Sequence, residues 1–72
     1  MSYLVVIEKA DDGHSAYVPD LPGVIALGDT LDEVQRNAAE AIWVAVEEMR
    51  EHGEPIPEPT STATMVPIDR PS

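Results

Sequence analysis

The sequence predicts an α+β fold of β-β-β-α-β order, a four-stranded mixed sheet with one helix on one face. Three observations carry this. Short β-branched or alternating runs at 3–10, 14–18 and 24–28 are separated by turns rich in Gly, Pro and Asp. One apolar stripe of period 3.6 starts at Leu31 and lasts about five turns. A further β-branched run at 60–68 follows a proline-spaced connector.

In the first run, YLVVIEKA, Tyr3, Val5 and Ile7 point to one face while Leu4 and Val6 point to the other, so this strand is apolar on both sides. Asp11-Asp12-Gly13 is a turn signal, and HSAYV returns as the second strand of a hairpin. Pro19-Asp20-Leu21-Pro22-Gly23 comes next. Neither proline can donate a ladder hydrogen bond, so pairing stops and the loop is stiff. Pro22-Gly23 suits the central positions of a type II turn, after which VIALG makes the third strand.

Thr30 is a good N-cap, with Glu33 three residues later in a capping-box arrangement, and Asp32 and Glu33 suit the positive end of the helix dipole. Leu31, Val34, Ala38, Ile42, Ala45 and Met49 form the apolar stripe. His52 stands near the carbonyl end and Gly53 follows as the C′ residue. The helix is thus expected over 31–52, a length of about 33 Å. Its other sides carry Glu40, Glu47 and Glu51, and Trp43 lies off the stripe, beside Ala39 and Val46, either as a packing shoulder of the core or as an anchor in an interface. EPIPEP (54–59) has polyproline character, and Pro67 confines the 60–68 strand to an edge. The simplest route from the third strand to the fourth is a right-handed parallel crossover.

Seventy-two residues make one domain, 1–72, close to the size at which a single core becomes marginal. Tyr3, Tyr17 and Trp43 are its aromatics, so the core must be aliphatic. Fourteen acidic against four basic side chains give a formal charge of -10, which repels phosphate backbones and disfavours direct nucleic-acid binding. The same field accelerates encounter with a basic protein. The absence of cysteine excludes disulfides, zinc-thiolate sites and thiol catalysis. The apolar run near the amino terminus is too short for a signal-peptide core or a membrane span, so a soluble cytoplasmic protein without membrane contact is expected.

Asp20, Asp29 and Asp32 are the acids from which a metal-dependent nuclease site would have to be built. Each has a simpler explanation: a turn residue, a residue preceding the cap, and a partner for the helix dipole. His14 and His52 have neither ligand spacing nor a nucleophile nearby in sequence, and no serine lies in a G-x-S-x-G context. No catalytic, metal-binding or cofactor residue is assigned. One helix covers one sheet face, yet the first strand is apolar on both, so a second subunit or another partner is expected on the other face, in a homodimer or higher homo-oligomer.

The succession Y-V-P-D-L-P-G-V, G-D-T-L-D-E-V-Q-R-N-A-A-E-A-I and P-I-P-E-P resembles the HicB-like antitoxins of bacterial type II toxin–antitoxin systems, from Tyr3 to about Ile68. The resemblance implies a partial RNase H-like fold without the nuclease's metal-binding acids, and a non-enzymatic protein. It also implies a partner: a small basic HicA-type toxin that cleaves messenger RNA and is blocked at its active site. Many such antitoxins carry a carboxy-terminal helix-turn-helix or ribbon-helix-helix segment for operator DNA, and this sequence is expected to be a short form without one. The partner-binding candidates are Glu40, Glu47 and Glu51 on the helix, Trp43 as an anchor, and Pro19, Asp20, Leu21 and Pro22 in the loop. The alternative function is a solitary, non-catalytic HicB-like scaffold or ligand-binding protein with no cognate toxin.

Overall fold

A computed structural model describes residues 1–70. Strands β1 (Val6–Ala10), β2 (Gly13–Tyr17) and β3 (Ile25–Gly28) precede one helix, α1 (Leu31–Glu51). The sheet has the order β1-β2-β3 and both pairings are antiparallel. β1 begins three residues later than its composition suggests, and the register gives the reason. Val6 lies opposite Tyr17, which would put Leu4 opposite Pro19, a residue with no N–H to give.

The register also sorts the two faces. Ile7, Ala16 and Ala26 lie side by side across the sheet and point toward α1, where Val34 and Ala38 complete a core of small side chains. Val6, Tyr17 and Ile25 form the neighbouring row on the opposite face, and Leu27 lies on that face as well. Tyr17, Ile25 and Leu27 are exposed there.

The helix starts as its sequence dictates: Glu33 donates its backbone N–H to Thr30 Oγ1 at 3.1 Å, while Asp32 and Glu33 occupy the first turn. It ends with His52 as C-cap and Gly53 at φ 66°, a left-handed residue in the C′ position. α1 packs on β2 and β3 and is held to β3 by Asn37, whose Nδ2 donates to the Leu27 carbonyl at 2.7 Å. Only the first half of the apolar stripe is deeply covered. Val34 and Ala38 are buried, Ile42, Ala45 and Met49 are half-buried, and Leu31 is exposed.

The loop between β2 and β3 is two successive turns. Leu21 donates to the Val18 carbonyl at 3.0 Å and Val24 to the Leu21 carbonyl at 3.1 Å, and Val18 closes the loop by donating to Val24 at 3.3 Å. Gly23, at φ 89°, has the backbone that a type II turn requires after Pro22.

The fourth strand is not formed. Residues 54–70 have no regular secondary structure, and the sheet is three-stranded and antiparallel rather than four-stranded and mixed. It therefore lacks the parallel strand on which the expected RNase H-like arrangement depends. The connector is fastened at two points: Tyr3 donates its hydroxyl to the Pro57 carbonyl, and Thr60 and Ser61 are bonded to Asp20. Beyond Ser61 every described residue is exposed, so the β-branched run has no neighbouring strand to pair with.

Among the glycines, Gly28 has the tightest surroundings. A Cβ added there would lie 2.6 Å from the Val34 nitrogen and 2.9 Å from its Cα, both backbone atoms that cannot swing aside. Gly28→Ala is expected to destabilise the domain by about 1–3 kcal/mol, as overpacking does. The midpoint of urea unfolding, followed by circular dichroism, measures it, and an unchanged midpoint would show that α1 shifts freely on the sheet.

Candidate partner-binding surface

The helical candidates come together on one exposed stripe because residues three and four apart share a helix face. Trp43, Glu47 and Glu51 line a shallow groove of about 320 Å³ together with Val44, Glu48 and His52. Trp43 is 66% exposed, so it is not part of the core. Glu40 lies farther along the helix toward its start, in an adjoining groove with Asn37, Val44 and Glu48. Glu47 is partly engaged, since Arg50 Nη1 donates to its Oε1 at 2.6 Å, but both side chains are substantially exposed.

The loop candidates separate. Pro19 and Pro22 are exposed. Leu21 is completely buried and is corrected from a contact residue to a core residue; in a loop this short, the side chain at the junction of two turns points inward. Asp20 has another task as well. Its Oδ2 accepts the backbone N–H groups of Thr60 and Ser61 at 3.0 and 2.9 Å, and its Oδ1 accepts their two hydroxyls at 3.1 and 2.9 Å. The Ser61 backbone bond, more than the opposing loss of hydration and together with the other three bonds, holds the Asp20 carboxyl below its ordinary pKa.

Two features escape the sequence reading. Glu48 borders three of the grooves along α1. The exposed side chains Tyr17, Ile25 and Leu27 make up an apolar trio on the sheet face away from α1, residues that the sequence did not single out on that face. The alternation in VIALG already separates Ile25 and Leu27 from Ala26, but only the cross-strand register brings Tyr17 beside them. For metal chemistry the arrangement offers little: among the described residues no three His, Cys, Asp or Glu side chains are grouped to hold an ion. Asp32 pairs with Arg36 at 3.1 Å instead. No described helix is long and apolar enough to cross a membrane.

The family model for HicB-like antitoxins of bacterial toxin–antitoxin systems matches residues 3–70. The chain belongs to the HicB-like antitoxin family. Its fold is similar to that of a chain from a HicA3 and HicB3 toxin–antitoxin complex, with a TM-score of 0.71 and 33% identity over 83% of this chain and 70% of the other. An uncharacterised 14.9 kDa protein of Haemophilus phage HP1, from the rep-hol intergenic region, is 47% identical over 57 residues. A UPF0150 protein of Thermoplasma acidophilum is 41% identical over 58 residues. The HicB-like chain spans 43% of the phage protein's length in that match and 84% of the archaeal one's.

Because Asp20 has a depressed folded pKa, the tether it makes is at full strength above the ordinary carboxylate value of about 3.9 and is lost as pH falls through the lower folded value. The Thr60 and Ser61 amide resonances should therefore shift together in an acid titration, with a common midpoint below that value. In Asp20→Asn the step should vanish while the sheet resonances stay in place. A midpoint at the ordinary value would mean that the four bonds are not held in solution.

Proposed function

We propose that this HicB-like chain is a non-catalytic, cytoplasmic antitoxin that binds a small basic HicA-type toxin and occludes the surface with which the toxin cleaves messenger RNA. The observation that carries this reading is the exposed helix face on which Glu40, Glu47, Glu48 and Glu51 surround Trp43. A protein that grips RNA must present basic groups around its active site, and a file of carboxylates competes for them as phosphates do. Trp43 adds a large exposed apolar surface beside those carboxylates, and aromatic residues are enriched among the anchors of interfaces. The family membership and the likeness to a chain of a toxin–antitoxin complex support the same assignment.

Direct binding of nucleic acid has no place in this reading, since the chain's formal charge of -10 opposes it. A solitary scaffold with no toxin is separated from an antitoxin by one experiment. A purified HicA-type toxin is assayed for RNA cleavage with increasing amounts of the protein, at low and moderate salt. Inhibition at a fixed stoichiometry, weakened by salt, is expected. Glu48→Lys with Glu51→Lys should lower the association rate, and Trp43→Ala should speed dissociation by about thirtyfold or more, the effect of losing an interface anchor worth about 2 kcal/mol. Undiminished cleavage in the presence of excess protein would overturn the assignment.

A further inference from the structure

We propose that the open edge of β3 and the groove between it and α1 bind an extended peptide strand in which apolar residues alternate with Lys or Arg. This goes beyond the antitoxin reading, which places a partner on the Trp43 face, and does not depend on it.

The register of β3 shows which of its backbone groups are unpaired. Val18 donates to the Val24 carbonyl, so these two form a hydrogen-bonded pair. Bonded and non-bonded pairs alternate along an antiparallel ladder. Tyr17–Ile25 and Ser15–Leu27 are therefore non-bonded pairs, and Ile25 and Leu27 turn their N–H and C=O groups away from β2. β3 is the last strand of the sheet, so those groups face outward. Asn37 Nδ2 donates to the Leu27 carbonyl at 2.7 Å, which agrees with that direction and occupies one end of the edge. Among the described residues nothing else bonds there, so Ile25 keeps its N–H and C=O, and Leu27 its N–H, for an added strand. Edges are commonly blunted by charge, proline or a covering element. From Leu21 to Gly28 no side chain is charged, and the proline in that stretch, Pro22, precedes the strand. The charges that bound the stretch, Asp20 and Asp29, are both acidic.

α1 gives this edge one wall of a groove. The helix packs on β3 more than on β2, so it lies toward the outer edge. Between them is a groove of about 530 Å³ whose lining includes the apolar Val24, Ala41, Val44 and Ala45 and the carboxylates of Glu40 and Glu48. A second groove of about 370 Å³ continues it along Val24, Ala45 and Glu48 to Glu54. Neither is bordered by Lys or Arg. Arg36 and Arg50 pair with Asp32 and Glu47, and among the described residues Glu40 and Glu48 have no cationic partner.

These features select the occupant. A strand added to β3 sends alternate side chains to opposite faces of the sheet. On the face away from α1 they meet Ile25 and Leu27, each 68% exposed, and apolar residues fit there. On the other face they meet the helix, where the stems of Lys or Arg lie over Ala41 and Val44 and carry their charge to the carboxylates. Glu40 and Glu48 are about 12 Å apart along the helix axis. Strand residues four apart are separated by about 13 Å, so two cations at that spacing reach both. A second copy of this chain is a poor occupant. Its charge is -10, and no two of its basic residues, Lys9, Arg36, Arg50 and Arg70, lie two or four positions apart.

The test uses the full chain, isotope-labelled and without any toxin, so its outcome is separate from that of the antitoxin assay. The probe is a synthetic peptide, Val-Lys-Val-Lys-Val-Lys, blocked at both ends. With excess peptide the Ile25 and Leu27 amide resonances should shift, and hydrogen exchange at both should slow at least about tenfold, as it does for amides that join a ladder. Added salt should weaken the binding. Glu40→Gln with Glu48→Gln should raise Kd about fivefold, the loss of two exposed ion pairs. Both side chains are exposed, so this variant should keep the wild-type circular dichroism spectrum. The counterpart peptide with Glu in place of Lys should not bind. Unmoved Ile25 and Leu27 amides, equal binding of the acidic peptide, or undiminished affinity in the double variant would each overturn the proposal. So would Ile25 and Leu27 amides already protected before peptide is added, because a second copy would then hold the edge.

Discussion

The structure depends on how closely α1 can lie on its sheet. At the contact the side chains are Ala16, Ala26, Val34 and Ala38, and at Gly28 the strand backbone touches the helix backbone with no side chain between them. Small residues let the two layers approach, and the approach fixes the angle at which the helix leaves. The cost is apolar volume. A helix–sheet contact of three alanines and a valine buries little hydrophobic area, Val18 and Leu21 add to it from the loop, and a domain of this length has little to spare. The half-buried Ile42, Ala45 and Met49, and the exposed Tyr17, Ile25 and Leu27, belong to the same balance: apolar surface that the single chain cannot cover remains for other molecules.

Much of this was legible from local chemistry. Thr30 and Gly53 bound the helix as capping rules require, and Pro22-Gly23 makes its turn because Gly alone tolerates that backbone cheaply. The strands of the hairpin follow from alternation and from Asp11-Asp12-Gly13. The separation of Trp43 from the apolar stripe is set by helical spacing alone, and whether it packed on the core or stood exposed was decided only in the folded chain, where it is exposed. What local pattern could not give was the destination of segments whose partners are distant in sequence. Leu21 lies in a loop of prolines and an aspartate, yet it is buried, because two consecutive turns fold the loop over its own middle. The run 60–68 has strand composition, but composition specifies only a tendency to pair and not the presence of an edge to pair with.

Asp20 shows how one residue can satisfy a simple reading and still do more. It is a turn residue, as its neighbours suggest, and its carboxylate also accepts four hydrogen bonds from Thr60 and Ser61, some forty positions away. No spacing rule links an Asp in a β-turn with a Thr-Ser pair beyond a helix. The bonds divide the chain into a folded body and an arm. They also engage the loop carboxylate among the contact candidates, so the remaining acidic candidates are those grouped on α1.

That concentration has a consequence for partner choice. Charge is a long-range quantity, and at -10 the whole molecule repels a second copy of itself while attracting a basic protein from any direction. Specific contact is then decided by where the field is locally weakest or strongest. Glu40, Glu47, Glu48 and Glu51 lie close together on α1, where a like-charged copy is turned away while a basic surface is drawn in. Along residues 1–7 and 59–68 the side chains are uncharged, so hydrophobic contact meets less repulsion there than along the helix, although Glu8, Glu58 and Asp69 bound these stretches. A single sequence can in this way keep two kinds of association apart without a separate domain for each. The segregation rests on composition: one acidic side chain among the exposed Met65, Val66 and Ile68 would extend the repulsive field over that uncharged stretch.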